Sequence, residues 1–168
     1  MNHASDINAV INAMTYDGLD KKGVLITNKT VINGTESYHP FLLKHYRDYL
    51  ERYIALEPGR KVAINEVEVQ ALTANHSEPN TIGFKFFTPL FVLTYSSDTK
   101  YSQELIEEYK NSNILILNVL SPKKQDSNLC TEDAIKIIKA VKPKLAIIQH
   151  FGIDMIKSDP LYETREIQ

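Results

Sequence analysis

Apolar positions recur along this chain in two rhythms, one of three to four residues and one of two, and the changes between them mark its organisation. Ile7, Val10, Ile11 and Met14 stand three and four apart within Asp6–Thr15. That spacing predicts a short amphipathic helix with one buried stripe, its first turn capped by Ser5 or Asp6. The polar stretch from Gly18 to Gly23 breaks it. Val24-Leu25-Ile26-Thr27 reads as a buried strand, Thr30-Val31-Ile32 as a weaker apolar patch, and Asn33-Gly34 as a turn. Across residues 38–57, Phe41, Leu42, Tyr46, Tyr49, Leu50, Tyr53 and Ile54 return with helical spacing until Pro58-Gly59. This predicts a helical insertion with an aromatic stripe, for which packing against the body is the first explanation.

Alternation then takes over. Lys61–Ile64, Val67–Thr73, Ile82–Phe87 and Leu90–Tyr95 are separated by short connections, Thr88-Pro89 among them, and predict antiparallel strands. The last third changes again. Ser102–Lys110 is helix-like, Ile114–Val119 is a continuous apolar strand, and Thr131 opens a helix running to Val141, closed by Pro143. Leu145–Ile148 is a further buried strand, and Met155–Ile167 has room for a last amphipathic turn or helix. A strand, helix, strand order places helices on a sheet, so the fold class is mixed α/β. Residues 1–168 read as a single domain containing the 38–57 insertion.

Composition narrows the function classes. The 168 residues are 43% hydrophobic and 24% charged, and 19 Lys and Arg against 21 Asp and Glu leave a net charge of -2. No global field draws nucleic acid or an anionic membrane. The single cysteine, Cys130, excludes an intramolecular disulfide framework and a multi-cysteine zinc cluster. No apolar run approaches the roughly 18 residues of a membrane span. The opening Met1–Asp6 lacks the basic and then apolar pattern of a secretory signal, so the expected location is cytoplasmic.

Three strand-like segments end in residues able to hold a metal. Leu72-Thr73-Ala74-Asn75 runs into His76, Val92–Ser97 into Asp98, and Ala146–Gln149 into His150-Phe151-Gly152. Strand ends beside loops are where a rigid scaffold presents chemistry to solvent. Each residue also has a plainer explanation: a structural or solvated histidine, or a cap or turn carboxylate in Ser96-Ser97-Asp98-Thr99. Imidazole and carboxylate together suit zinc, manganese or iron. His39 precedes Pro40 and reads as a helix-entry turn, His45 as a solvated or partner-facing side chain. Cys130, ahead of the expected cap Thr131, reads as a small buried or half-buried side chain.

The order of these elements resembles the metallo-β-lactamase superfamily of metal-dependent hydrolases. Asn2-His3 followed by the Asp6–Thr15 helix is similar to the tail of the family's His-x-His-x-Asp-His motif. Asn75–Pro79 is similar to the segment of the next histidine, Tyr95–Thr99 to the bridging-aspartate segment, and Lys144–Gly152 to the last strand and histidine. Cys130–Ala134 resembles the helix start of the phosphodiesterase-like branches. The resemblance implies part of an αββα sandwich, mainly its C-terminal half. It implies divalent metal ligands at His3, His76, Asp98 and His150, with His76 on a first metal, His3 and His150 on a second, and Asp98 bridging.

Zinc is the foremost metal expected, with manganese or iron as alternatives. The implied activity is hydrolysis of a phosphodiester or other ester, in a small molecule or a nucleic acid, by a metal-activated water. The sequence departs from the family at Asn2, where an aspartate is expected, and near Asn128, where some nucleic-acid-processing relatives carry a histidine. The strand-rich half that precedes the first motif in the family has no counterpart in these residues. A catalytically inactive remnant or a partner-binding module is therefore the alternative. An exposed inner sheet face would further predict association with a second copy or with a separate N-terminal fragment.

Overall fold

The computed structural model describes residues 3–78 and 80–167. Its residues form two compact units, one up to Glu57 and one from Pro58 onward. Among the described residues, no helix is long and apolar enough to cross a membrane.

The first unit opens with α1 (Ile7–Met14), as the spacing predicts; Asp6 is the cap residue, without a side-chain bond to the helix. Ile11 is buried with Val31, Ile32, Leu42 and Leu50, while Val10, expected on the same stripe, is exposed. Strand β1 (Val24–Thr27) follows. The Thr30–Ile32 patch lies inside helix α2 (Lys29–Asn33), whose first turn is fixed by Asn28 Oδ1 accepting from the Val31 backbone N–H at 3.1 Å. An apolar run of three carries too little periodicity to announce a helix, whereas the cap does.

The 38–57 segment differs from the expected helix. Only Lys44–Arg47 (α3) is helical, a single turn, and Arg52–Ala55 is strand β2, parallel to β1 from Val24↔Arg52 to Thr27↔Ala55. Two demands override helical spacing here. The backbone of β1 requires a ladder partner, and Arg47 spends its guanidinium on the Ile32 and Leu42 carbonyls. Phe41 and Leu42 also donate their backbone N–H groups to Val31 O. The aromatic stripe packs: Phe41, Tyr46 and Tyr49 lie against the buried cluster, with the Tyr46 and Tyr49 rings edge-on at 5.4 Å.

The second unit is a sheet with helices on it. Strands β3 (Lys61–Ile64), β4 (Val67–Thr73), β5 (Ile82–Phe87) and β6 (Val92–Tyr95) pair antiparallel in chain order, as their alternation predicts. The path then turns parallel. β7 (Ile114–Ser121) pairs with β6 on one side and with β9 (Leu145–Gln149) on the other, and its far end pairs with the two-residue β8 (Leu129–Cys130).

Helices α4 (Gln103–Tyr109), α5 (Thr131–Val141), α6 (Ile153–Lys157) and α7 (Pro160–Ile167) complete the unit. Leu115, Leu117 and Val119 of β7 are buried in one cluster with Leu72, Leu105, Tyr109, Ala134, Ile137 and Met155. Each buried Leu or Ile there contributes roughly 1.5–3 kcal/mol over exposure.

Two polar ties hold α4 to the sheet. Lys85 of β5 is buried and donates from Nζ to the Glu108 and Lys110 carbonyls at 2.9 and 2.6 Å. It thereby satisfies carbonyls that a helix end leaves open. Burial lowers its pKa below the ordinary lysine range, partly offset by Glu108. Glu108 in turn accepts from the Thr73 backbone N–H at 2.8 Å and from Thr73 Oγ1 at 2.7 Å, fixing the last residue of β4.

Candidate metal centre

Strands β4 and β6 are each antiparallel to β5, and β6, β7 and β9 are mutually parallel. The C-terminal ends of β4, β6 and β9 therefore share one end of the sheet, and the loops leaving them carry His76, Asp98 and His150. Two of these exits pass through the left-handed backbone region. Ser97 has φ +57, turning the chain directly before Asp98, and His150 itself has φ +66. Non-glycine residues visit this region rarely, so both exits hold a specific turn against a local preference. Two backbone-linked bonds join the first two loops: Asn75 N–H to Thr99 Oγ1 at 2.9 Å, and Lys100 N–H to Asn75 O at 2.8 Å.

The three side chains come together around one carboxylate. His76 Nε2 lies 3.9 Å from Asp98 Oδ2, and His150 Nδ1 lies 3.6 Å from Asp98 Oδ1. Both gaps exceed a hydrogen bond. They remain within reach of a shared ion, since two metal–ligand bonds of about 2.0–2.2 Å span up to about 4.4 Å. Asp98 is only 6% exposed, so water alone does not solvate its charge.

His76 Nδ1 lies 3.0 Å from the Ser127 carbonyl oxygen. A carbonyl only accepts, so Nδ1 carries a hydrogen and Nε2 is the nitrogen turned toward the carboxylate. This is the orientation that a ligating histidine requires. The donor set fits a divalent ion.

His3 lies in the first unit, exposed, in the turn ahead of α1. Asn2 falls outside the described residues. His45, of the same unit, packs on Tyr46 and Tyr49, with ring centroids 4.0 and 6.1 Å away. Asp98 does not cap α4, whose cap residue is Ser102.

The cap of α5 is Cys130, one residue before the expected Thr131. Its backbone N–H and Sγ lie 3.4 and 3.2 Å from Asp133 Oδ2, and Thr131 Oγ1 instead donates to Glu163 at 2.5 Å. Burial raises the Cys130 pKa first of all, which disfavours the thiolate, and the thiol is a packed side chain.

Sequence reasoning passed over the support around Asp98. Asn118 of β7, fully buried, donates from Nδ2 to Asp98 Oδ1 at 2.8 Å and to Tyr95 Oη at 3.2 Å. Its Oδ1 accepts from Gln149 Nε2 at 3.1 Å, and its backbone N–H donates to Ser96 Oγ at 3.0 Å. The available signal was one polar residue inside the apolar run Ile114–Leu120. Tyr95 is held in its phenol form, its pKa raised chiefly by burial. Beside His76, an open cleft of about 270 Å³ is lined by Asn75, Ser77, Lys100, Asp126 and Ser127.

Residues 3–151, nearly nine-tenths of the chain, match the beta-lactamase superfamily domain. The chain belongs to the metallo-β-lactamase superfamily. Its fold is that of the superfamily's hydrolases, whose members bind divalent metal ions. It is 31% identical over 157 residues to protein MJ1374 of Methanocaldococcus jannaschii, an alignment covering 91% of this chain and 59% of that protein.

Among solved structures, the metallo-β-lactamase fold protein YhfI of Bacillus subtilis superposes with a TM-score of 0.73 at 14% identity. That match covers 95% of this chain and 65% of YhfI. A diphosphatase of the PhnP family matches at 0.66 and 14% identity, over 87% of this chain and 54% of its own length. A long-form RNase Z from yeast matches at 0.67 and 14%, over 88% and 27%. This superfamily member thus spans 59% of the length of the curated relative and from 27% to 65% of the length of these solved structures. Its sheet and helices are the mixed α/β architecture of the metallo-β-lactamase sandwich.

Proposed function

We propose that this chain carries metal-ligating residues of a hydrolase that cleaves a phosphodiester or another ester, with water as the nucleophile. The observation that carries the reading is the fixed imidazole of His76. Its Nδ1 is committed to Ser127 O, while Nε2 and His150 Nδ1 face opposite oxygens of a buried carboxylate.

His76, Asp98 and His150 would hold the ion, and His3 joins them from the order of the family's motifs alone. Imidazole and carboxylate favour zinc, then manganese or iron. When bound, a divalent ion supplies Lewis acidity that activates water near neutral pH and offsets charge on the leaving oxygen. Asp98 presents one oxygen toward each histidine, and imidazole ligands would add no negative charge of their own to an ion held there.

A phosphoester is favoured over other esters on two grounds. The fold is shared with a PhnP-family diphosphatase and an RNase Z. In addition, the cleft beside His76 offers the Lys100 ammonium and the Ser77 hydroxyl to an anionic group.

The test is metal content by mass spectrometry together with hydrolysis of bis(p-nitrophenyl) phosphate. Stoichiometric zinc or manganese on the wild type is expected, with loss of metal and turnover in both His76→Ala and Asp98→Ala. A folded wild type that takes up no divalent ion would overturn the proposal. A second reading, a partner-binding module without catalysis, is favoured by Asn2, which stands where the family carries an aspartate, and by the absence near Asn128 of the histidine that some nucleic-acid-processing relatives carry. Full metal occupancy with no hydrolysis of any phosphate or carboxylate ester would select it.

A further inference from the structure

We propose that Asn118 is a positioning residue for the metal ligands, which fixes the rotation of the Asp98 carboxylate, and that Gln149 braces the Asn118 amide from the other side. The inference rests on the metal-ligating role proposed for Asp98. A free carboxylate can turn about its terminal bond and exchange its two oxygens. In this molecule the oxygens are distinguished, because Oδ1 receives the Asn118 Nδ2 hydrogen bond at 2.8 Å and lies 3.6 Å from His150, while Oδ2 lies 3.9 Å from His76.

The direction of the Asn118 amide follows from chemistry. An amide has one accepting oxygen and one NH₂ with two hydrogens. The Asp98 oxygen accepts, and Gln149 Nε2 donates. A flipped Asn118 would set its oxygen against the Asp98 oxygen, and Gln149 Nε2 donates to the Asn118 oxygen that the favoured orientation presents. Both Nδ2 hydrogens are used, on Asp98 and on Tyr95 Oη, and the backbone of Asn118 is fastened to Ser96 Oγ.

The chain of contacts therefore runs across three strands. It joins the residues flanking the β6 exit to Gln149, the residue directly before His150. An aspartate at 118 would oppose two carboxylates at hydrogen-bond distance, and an apolar side chain would remove the Asn118 hydrogen bond that holds Asp98 Oδ1.

The test is zinc affinity, measured by competition with a chromophoric chelator on the wild type, Asn118→Leu and Gln149→Ala, with thermal unfolding alongside. Asn118→Leu is expected to weaken zinc binding by about 10–100-fold per folded molecule. Gln149→Ala should weaken it in the same direction by a smaller factor. A cobalt-substituted protein should show a shifted visible spectrum in both variants. A purely structural asparagine would lower the melting temperature and leave affinity and spectrum unchanged, which would overturn the inference while the metal-site reading stands. Should the wild type itself bind no zinc, the reading falls and the inference with it. If Asn118→Leu does not fold, Gln149→Ala decides alone, because Gln149 is exposed and its loss spares the buried cluster.

Discussion

Strand β7 has two faces, and they are built to different specifications. On one, Leu115, Leu117 and Val119 are fully buried among α4 and α5 residues, a layer that is hydrocarbon apart from the Tyr109 hydroxyl. On the other, Ile114 and Ile116 lead to Asn118, whose amide is committed at both ends to neighbouring strands. The helix-covered face holds the unit together. The other face, at its C-terminal end, holds a carboxylate still. Stability and ligand geometry are thus carried by alternate residues of a single eight-residue strand.

Substitutions that separate these duties would sharpen the comparison, and ones that fail to do so would break it. The largest effect is expected from Leu117→Ala, which leaves a cavity among close-packed neighbours and should cost about 2–5 kcal/mol in a denaturant titration. Its zinc affinity per folded molecule should be unchanged; a parallel loss of metal would show that the faces are not independent.

Lys85→Met keeps the apolar stem but removes the donor to the Glu108 and Lys110 carbonyls. We expect a cost of about 1–3 kcal/mol, again with metal binding preserved.

The smallest effect, of opposite sign, is expected at Tyr109. This residue is fully buried and its hydroxyl has no hydrogen-bond partner among the described residues. Tyr109→Phe should therefore stabilise by about 1 kcal/mol. Burial holds the Tyr109 pKa far above the ordinary value near 10. The folded state keeps a proton that the unfolded chain loses above about pH 10, so this contribution to stability is complete below that pH and declines above it. Unfolding followed from pH 8 to 11 should show a shallower alkaline decline in the phenylalanine variant.

Much of the second unit was legible because its elements are long enough for their period to show. The alternation of Val67–Thr73, the unbroken run from Ile114 and the helix from Thr131 to Val141 all lie close to where the pattern puts them. The first unit was harder. Residues 38–57 carry helical spacing, but their apolar side chains line a loop, one turn and a strand that wrap a small core. Spacing there reports burial, not backbone conformation.

At the candidate centre, His76, Asp98 and His150 could be picked out as strand-end residues of ligating type. Their supports could not. Ser127 stands 51 positions from His76, and Asn118 lies 20 and 31 positions from Asp98 and Gln149, so these partners exist only once the sheet has formed.

The left-handed turns at Ser97 and His150 also constrain which descendants this sequence can have. At position 97 the backbone tolerates glycine, asparagine, aspartate or serine far better than a β-branched residue. A valine or threonine there would press the chain toward an extended exit and swing the neighbouring carboxylate off the rim, although residue 97 itself contributes no ligand. Variation beside the centre is therefore filtered twice, once by the chemistry of the side chains and once by the handedness of the chain that carries them.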